Sequence, residues 1–223
     1  MNNIMGGLYT VSEWVMRFAV INLLWLLFNL PIVFSTGNLL LAGGQGEMIL
    51  FATMTAVFAP FVFFPATAAM FASARDWIIE YEGPSIFVSY VNYYKQNYKK
   101  SLLGGFIITG LWVILIVDFI FLKDFSMILA FVFIVFGLIL YVITMNFFSV
   151  NAHYDMKLRG LLKNAFFITV GSPVLLFAVL FSGIVLLYAS IKGPLFLLLF
   201  FSGSLIAFLS FSAFYRLYLR LLS

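Results

Sequence analysis

Few side chains in this sequence could do chemistry, and their spacing narrows what that chemistry would be. Asp118 stands alone inside an apolar run, and a carboxylate within a membrane span is by default a candidate for ion coupling or ligand binding. It lies four or five residues from the end of its run, about 6 to 8 Å along a helix, where it can reach water or Lys123. Asn22 and Asn29 are seven apart, as are Asn146 and His153, so each pair projects from one helical face. With Arg75 and Asp76, these four are candidates for a polar vestibule facing the cytosol. The plainer role for each is interhelical hydrogen bonding, worth roughly 0.6 to 2 kcal/mol per bond.

Other chemistries lack their residues. The chain has no cysteine and a single histidine, which excludes a disulfide framework, a thiolate metal site and a cysteine nucleophile, and leaves no set of zinc ligands. Intramembrane aspartyl proteolysis needs two embedded aspartates, and only Asp118 is at hand. A serine mechanism needs a base, and His153 has no assignable serine partner. The glycine-rich "AGGQGE" at 42 to 47 lacks the Lys-Ser/Thr of a phosphate loop and reads as a turn. The expectation is a non-enzymatic protein without cofactor or metal, and nothing points to a nucleic-acid partner.

The elements that must position these residues are membrane helices. At 65% hydrophobic, 20% aromatic and 9% charged residues, the chain could not form a soluble surface. Continuous apolar runs fall at 18–36, 48–72, 102–122, 125–150, 166–190 and 194–215, each near the twenty residues a span requires. Because the runs do not alternate and lipid forces backbone hydrogen bonds to close within a segment, they predict helices. The expected fold is all-α: one polytopic transmembrane bundle of six spans over residues 1–223. The first run lacks a small-residue cleavage site and reads as a retained span.

Orientation follows from charge. Only Lys123 and Lys192 fall in the connections on one side, while the other ten of the twelve basic residues fall on the opposite side. By the positive-inside rule both termini are expected in the cytoplasm.

Local patterns refine the picture. Thr10-x-x-Glu13 matches a capping box and predicts a helix start near Val11, with Trp14 at headgroup depth. Residues 84–100 predict an amphipathic interfacial helix between spans 2 and 3, with Phe87, Val91, Tyr94 and Tyr98 against Ser85, Ser89, Asn92 and Lys99. Tyr94, Lys95, Tyr98, Lys99 and Lys100 would meet anionic lipid headgroups or a protein partner, with lipid attraction of about 1 kcal/mol per lysine. Residues 154–163 look like a shorter version, with Asp155 and Arg159 paired at i, i+4. In 63–78, Ala68 with Ala72 and Ala69 with Ser73 are small pairs that let a neighbouring helix approach, and Pro65 permits a bend.

The segments "GGLYTVSEWVMRFAVINLLWLLFNLPIVF", "FFPATAAMFASARDWI" and "YYKQNYKKS", taken in order, resemble the YesL-like family of bacterial membrane proteins. The resemblance is clearest over residues 6–110. It implies a small multi-pass protein of the bacterial plasma membrane whose relatives are often encoded beside sugar-uptake ABC transporters. The expected function is accessory to, or associated with, a carbohydrate-uptake system, with an ABC permease as possible partner. The alternative is a small solute transporter or channel using the cytosol-facing polar residues.

Overall fold

The computed structural model describes residues 2–81 and 83–222, and every regular element among them is helical. Six helices are long and apolar enough to cross a membrane: an 18-residue stretch Val11–Phe28, then Gln45–Ile78, Ile86–Leu122, Met127–His153, Pro173–Lys192 and Ser202–Leu222. Their flanks carry many exposed large apolar side chains, among them Phe121, Phe131, Phe177 and Phe181, the surface expected of a bundle solvated by hydrocarbon.

Some breaks within the apolar runs fall where a proline removes a backbone donor. Helix α1 (Asn2–Phe28) starts well before Val11, so the Thr10-x-x-Glu13 pattern does not mark a helix start; Glu13 instead pairs with Arg17 one turn on. The first apolar run is split at Asn29, and the chain resumes as α2 (Leu30–Leu41). Pro31 has no amide hydrogen for the carbonyl four residues back, and the Asn29 side chain donates to Trp25 O at 2.8 Å beside the gap.

The second span is a composite of α3 (Gln45–Phe58), a π-helical turn (Ala59–Phe63) and α4 (Phe64–Ile78). The bend expected at Pro65 takes this form: Pro60 and Pro65 bracket a widened turn closed by the Phe64 amide on Ala59 O, a usual way to absorb missing donors.

A separate interfacial helix over 84–100 followed by a span from 102 is not what forms. The two are one helix, α5 (Ile86–Leu122). No glycine or proline interrupts it before Gly104, and Ser101, at the expected joint, is buried and accepts from Asn151 Nδ2 at 3.5 Å. A straight helix of 37 residues is about 55 Å long against an apolar core of about 30 Å. Its length therefore suffices for a span plus basic turns outside the hydrocarbon.

Near its start α5 crosses α4. Tyr90 Oη donates to Ala66 O at 3.0 Å and Tyr93 Oη to Asp76 Oδ2 at 2.5 Å. The tyrosines are three residues apart, but their partners are ten apart, about 15 Å along α4. The two rings therefore spread in opposite directions.

After α6 (Met127–His153), the fifth apolar run is also split. Helix α7 (Leu158–Gly171) ends at Ser172, and α8 (Pro173–Lys192) begins with the Ser172 hydroxyl accepting from Leu175 N at 3.4 Å. Asp155 pairs across the bundle with Lys100, not with Arg159 as the i, i+4 spacing suggested. The last run divides into α9 (Leu195–Phe200) and α10 (Ser202–Leu222).

Helix α4 lies at the centre, packed on α1, α5, α6 and α10. Pro65, Ala68, Ala69, Ala72 and Ser73 are all buried in it. Small side chains let neighbouring backbones close in, and Phe64, Phe71, Phe147 and Phe148 fill the space beside them with ring centroids 5.3 to 6.4 Å apart. On α5, Gly104 and Gly105 lie against Phe147 and Phe64.

Candidate functional site

The polar side chains that converge do so at one end of the bundle. Trp14 and Phe18 from α1 meet Trp77 at the end of α4 and Phe208 on α10, with centroids 5.3 to 6.1 Å apart. His153, closing α6, lies 4.4 Å from the Tyr218 ring of α10. The same end receives the start of α5 through Tyr93.

At its centre, Arg75 and Asp76 leave α4 as neighbours. Arg75 holds Asp76 Oδ1 with Nε at 3.0 Å and Nη2 at 2.6 Å, and its Nη1 donates to Ala152 O at 2.6 Å. Nη2 also reaches Tyr93 Oη at 3.2 Å, and Tyr93 Oη donates a hydrogen bond to Asp76 Oδ2. A carboxylate only 7% exposed thus has both oxygens engaged, the condition under which a buried charge is tolerated. The group ties α4, α5 and α6 together.

Beside it lies a cavity of about 530 Å³, lined by Glu13, Trp14 and Arg17 of α1, Asp76 and Trp77 of α4, and Glu80 and Tyr81 of the following turn. Glu80 is the one non-glycine described residue with positive φ, at 55°. Opening at a bundle end, with aromatic rings and carboxylates in its wall, the cavity can accept a small polar or charged solute.

The six residues expected to form a vestibule do not share one place. Arg75, Asp76 and His153 gather at this end; the Arg75 guanidinium holds the carbonyl of Ala152, next to His153, whose ring sits among Tyr154, Phe214, Tyr215 and Tyr218. Asn22 bridges α9 and α10, bonding Leu199 O and the Ser204 amide. Asn29 bonds within its own helix, and Asn146 donates to Thr169 Oγ1 at 2.8 Å. Asp118 is exposed on α5 with no hydrogen bond or ion pair to Lys123 among the described residues.

On the first turns of α5, the Tyr94 ring is 4.7 Å from Phe28 and 5.6 Å from Tyr98. Lys95 and Lys99 are exposed and Lys100 engages Asp155. The lysine holds the Asp155 carboxyl below its ordinary range, and burial pushes the neighbouring Tyr154 phenol up.

Sequence reasoning missed Tyr93, which sits in the inward stripe of Tyr90, Tyr93, Asn97 and Ser101; the i, i+3, i+7, i+11 spacing was the available signal. Trp14 read as a residue at headgroup depth and Glu13 as a cap, yet both line the cavity, as does Trp77.

Fold and site together define a multi-pass α-helical membrane protein with a polar cluster at one end of its bundle. Residues 18–119 match the family described as "Protein of unknown function, DUF624". The chain is 30% identical over 218 residues to "Uncharacterized protein YesL" of Bacillus subtilis (strain 168), spanning 96% of this chain and 92% of that one. It is 29% identical over 169 residues to "Uncharacterized protein YteU" of the same organism, spanning 74% and 65% respectively. The chain belongs to this YesL-like DUF624 family. No solved structure matches it.

Proposed function

We propose that this protein is a non-enzymatic accessory component of a carbohydrate-uptake system of ABC type in the bacterial plasma membrane, with its polar end in the cytoplasm. The orientation rests on the ten basic residues that fall at that end. The sugar-uptake context is what the family resemblance implies.

One observation carries the accessory reading: the first turns of α5 present a fixed polar row. Asn92, Lys95, Gln96 and Lys99 are exposed at i, i+3, i+4, i+7 spacing. Behind them the helix is held by Tyr90 on Ala66, Tyr93 on Asp76 and Lys100 on Asp155. A pre-ordered helix face loses little conformational entropy on docking, and two lysines favour an acidic cytosolic surface on a permease or anionic lipid beside it.

The test is purification from the native host in mild detergent, comparing the wild type with Lys95→Glu/Lys99→Glu. A permease that accompanies the wild type and is lost from the folded variant supports the reading. A permease retained by both, or none with either, overturns it.

The cavity favours a second reading, a small solute transporter. Solute flux into proteoliposomes that is lost when Asp76 becomes asparagine would support transport over the accessory role.

A further inference from the structure

The end of the bundle is rich in arginine and lysine, yet the wall of its cavity is acidic. Three carboxylates, of Glu13, Asp76 and Glu80, face the space against the single guanidinium of Arg17. Two of the three are compensated: Glu13 pairs with Arg17, and Asp76 is held by Arg75 and Tyr93. Glu80 has no ion pair among the described residues. The rings of Trp14, Trp77 and Tyr81 also line it, among small and aliphatic residues.

The volume, about 530 Å³, lies within the range of small-molecule sites. Aromatic faces attract cations through their quadrupoles, and most strongly where water is partly excluded. An anion would meet the uncompensated carboxylate of Glu80. A neutral solute would gain nothing from the uncompensated charge of Glu80.

We propose that this cavity binds a small organic cation through its ammonium group, primary or quaternary, with Glu80 as the charge partner and Trp77 as an aromatic wall. The ammonium could belong to a free solute or to the headgroup of phosphatidylethanolamine, since the cavity opens at the end of the spans. Glu13 and Arg17, already paired, would shape the floor. Lys95 and Lys99 are not in the lining, so this site stands or falls independently of the docking face.

The experiment is equilibrium dialysis of radiolabelled choline against the full chain in phosphatidylglycerol nanodiscs. Saturable binding is expected, displaced by unlabelled choline and not by its neutral isostere 3,3-dimethylbutan-1-ol or by glucose. Glu80→Gln, at an exposed turn residue, is expected to weaken it by roughly tenfold, and Trp77→Leu similarly. Added phosphatidylethanolamine that abolishes choline binding would assign the site to the lipid headgroup; unchanged binding would assign it to a free solute. Absence of saturable binding, equal displacement by the neutral isostere, or indifference to Glu80→Gln would overturn the proposal.

Discussion

Asn22 on α1 and Ser204 on α10 are joined across 182 positions of sequence: the Asn22 Oδ1 accepts the Ser204 backbone amide at 3.0 Å. Its Nδ2 donates to the carbonyls of Leu199 at 2.6 Å and Leu198 at 3.3 Å. One amide side chain therefore serves both edges of the break between α9 and α10. Hydrocarbon offers no water to a broken helix, so a neighbouring span must supply the missing partners.

Replacing Asn22 with leucine should cost about 1–3 kcal/mol, because it leaves buried backbone groups unsatisfied. Asn38→Ala, which removes an exposed bond to Phe34 O, should change stability little. Reversible unfolding in bicelles measures both. Equal effects would show that the Asn22 bridge contributes nothing specific.

Close packing on α5 makes a second prediction. A Cβ on Gly104 would lie 2.3 Å from Phe147 Cζ, whereas one on Gly110 meets nothing within 4 Å. Gly104→Ala should destabilise by about 1–3 kcal/mol, and Gly110→Ala should be neutral or mildly stabilising. Phe147→Leu should lessen the cost of Gly104→Ala in a double-mutant cycle; strict additivity would contradict this contact.

The Arg75, Asp76 and Tyr93 group should respond unequally to truncation. Tyr93→Phe removes one hydroxyl and should cost about 1 kcal/mol. Arg75→Ala leaves the buried Asp76 carboxylate without its cation and should cost about 3 kcal/mol or more. Adding Asp76→Asn to Arg75→Ala should recover part of that loss. Denaturation midpoints of the three variants decide it, and no recovery would mean the charge is not what matters.

Orientation is open to thiol labelling because the native chain has no cysteine. Gly44 and Gln96 are both exposed, and a side chain at Gly44 meets nothing within 4 Å. Gly44→Cys should react with an impermeant maleimide on intact cells, and Gln96→Cys only after permeabilisation. The reverse pattern would invert the assignment of the polar end to the cytoplasm.

The Lys100 and Asp155 pair sets a pH dependence. The lysine depresses the Asp155 carboxyl, so the pair's stabilising effect is present above the unfolded carboxylate range, near pH 4, and is lost as pH falls through the lower folded value. Lys100→Met should return the Asp155 titration to its ordinary position, as followed by carbonyl NMR. Because Asp155 is fully solvent-exposed, neutral-pH stability should barely move.

The sequence by itself determined the class and the number of spans. Long uninterrupted apolar runs leave a chain in lipid only one way to close its backbone bonds, and that logic needs no knowledge of neighbours. It located Pro65 and the small residues of α4, because proline chemistry and side-chain size are local properties. It also placed Arg75 and Asp76 at the end of a span.

Tertiary structure decided which polar groups meet. Asn22 and Asn29 share a helical face by period, yet one closes the break between α9 and α10 and the other bonds its own helix, since each follows the nearest unsatisfied backbone. Tyr93 reaches Asp76 while Tyr94 packs on Phe28 of α1, because the first turns of α5 lie between the two helices. The cavity brings Glu13 against Asp76 and Glu80, residues more than sixty positions apart in sequence. Hydrophobic transfer acts on each segment alone, whereas hydrogen bonds and cavities depend on which segments pack together.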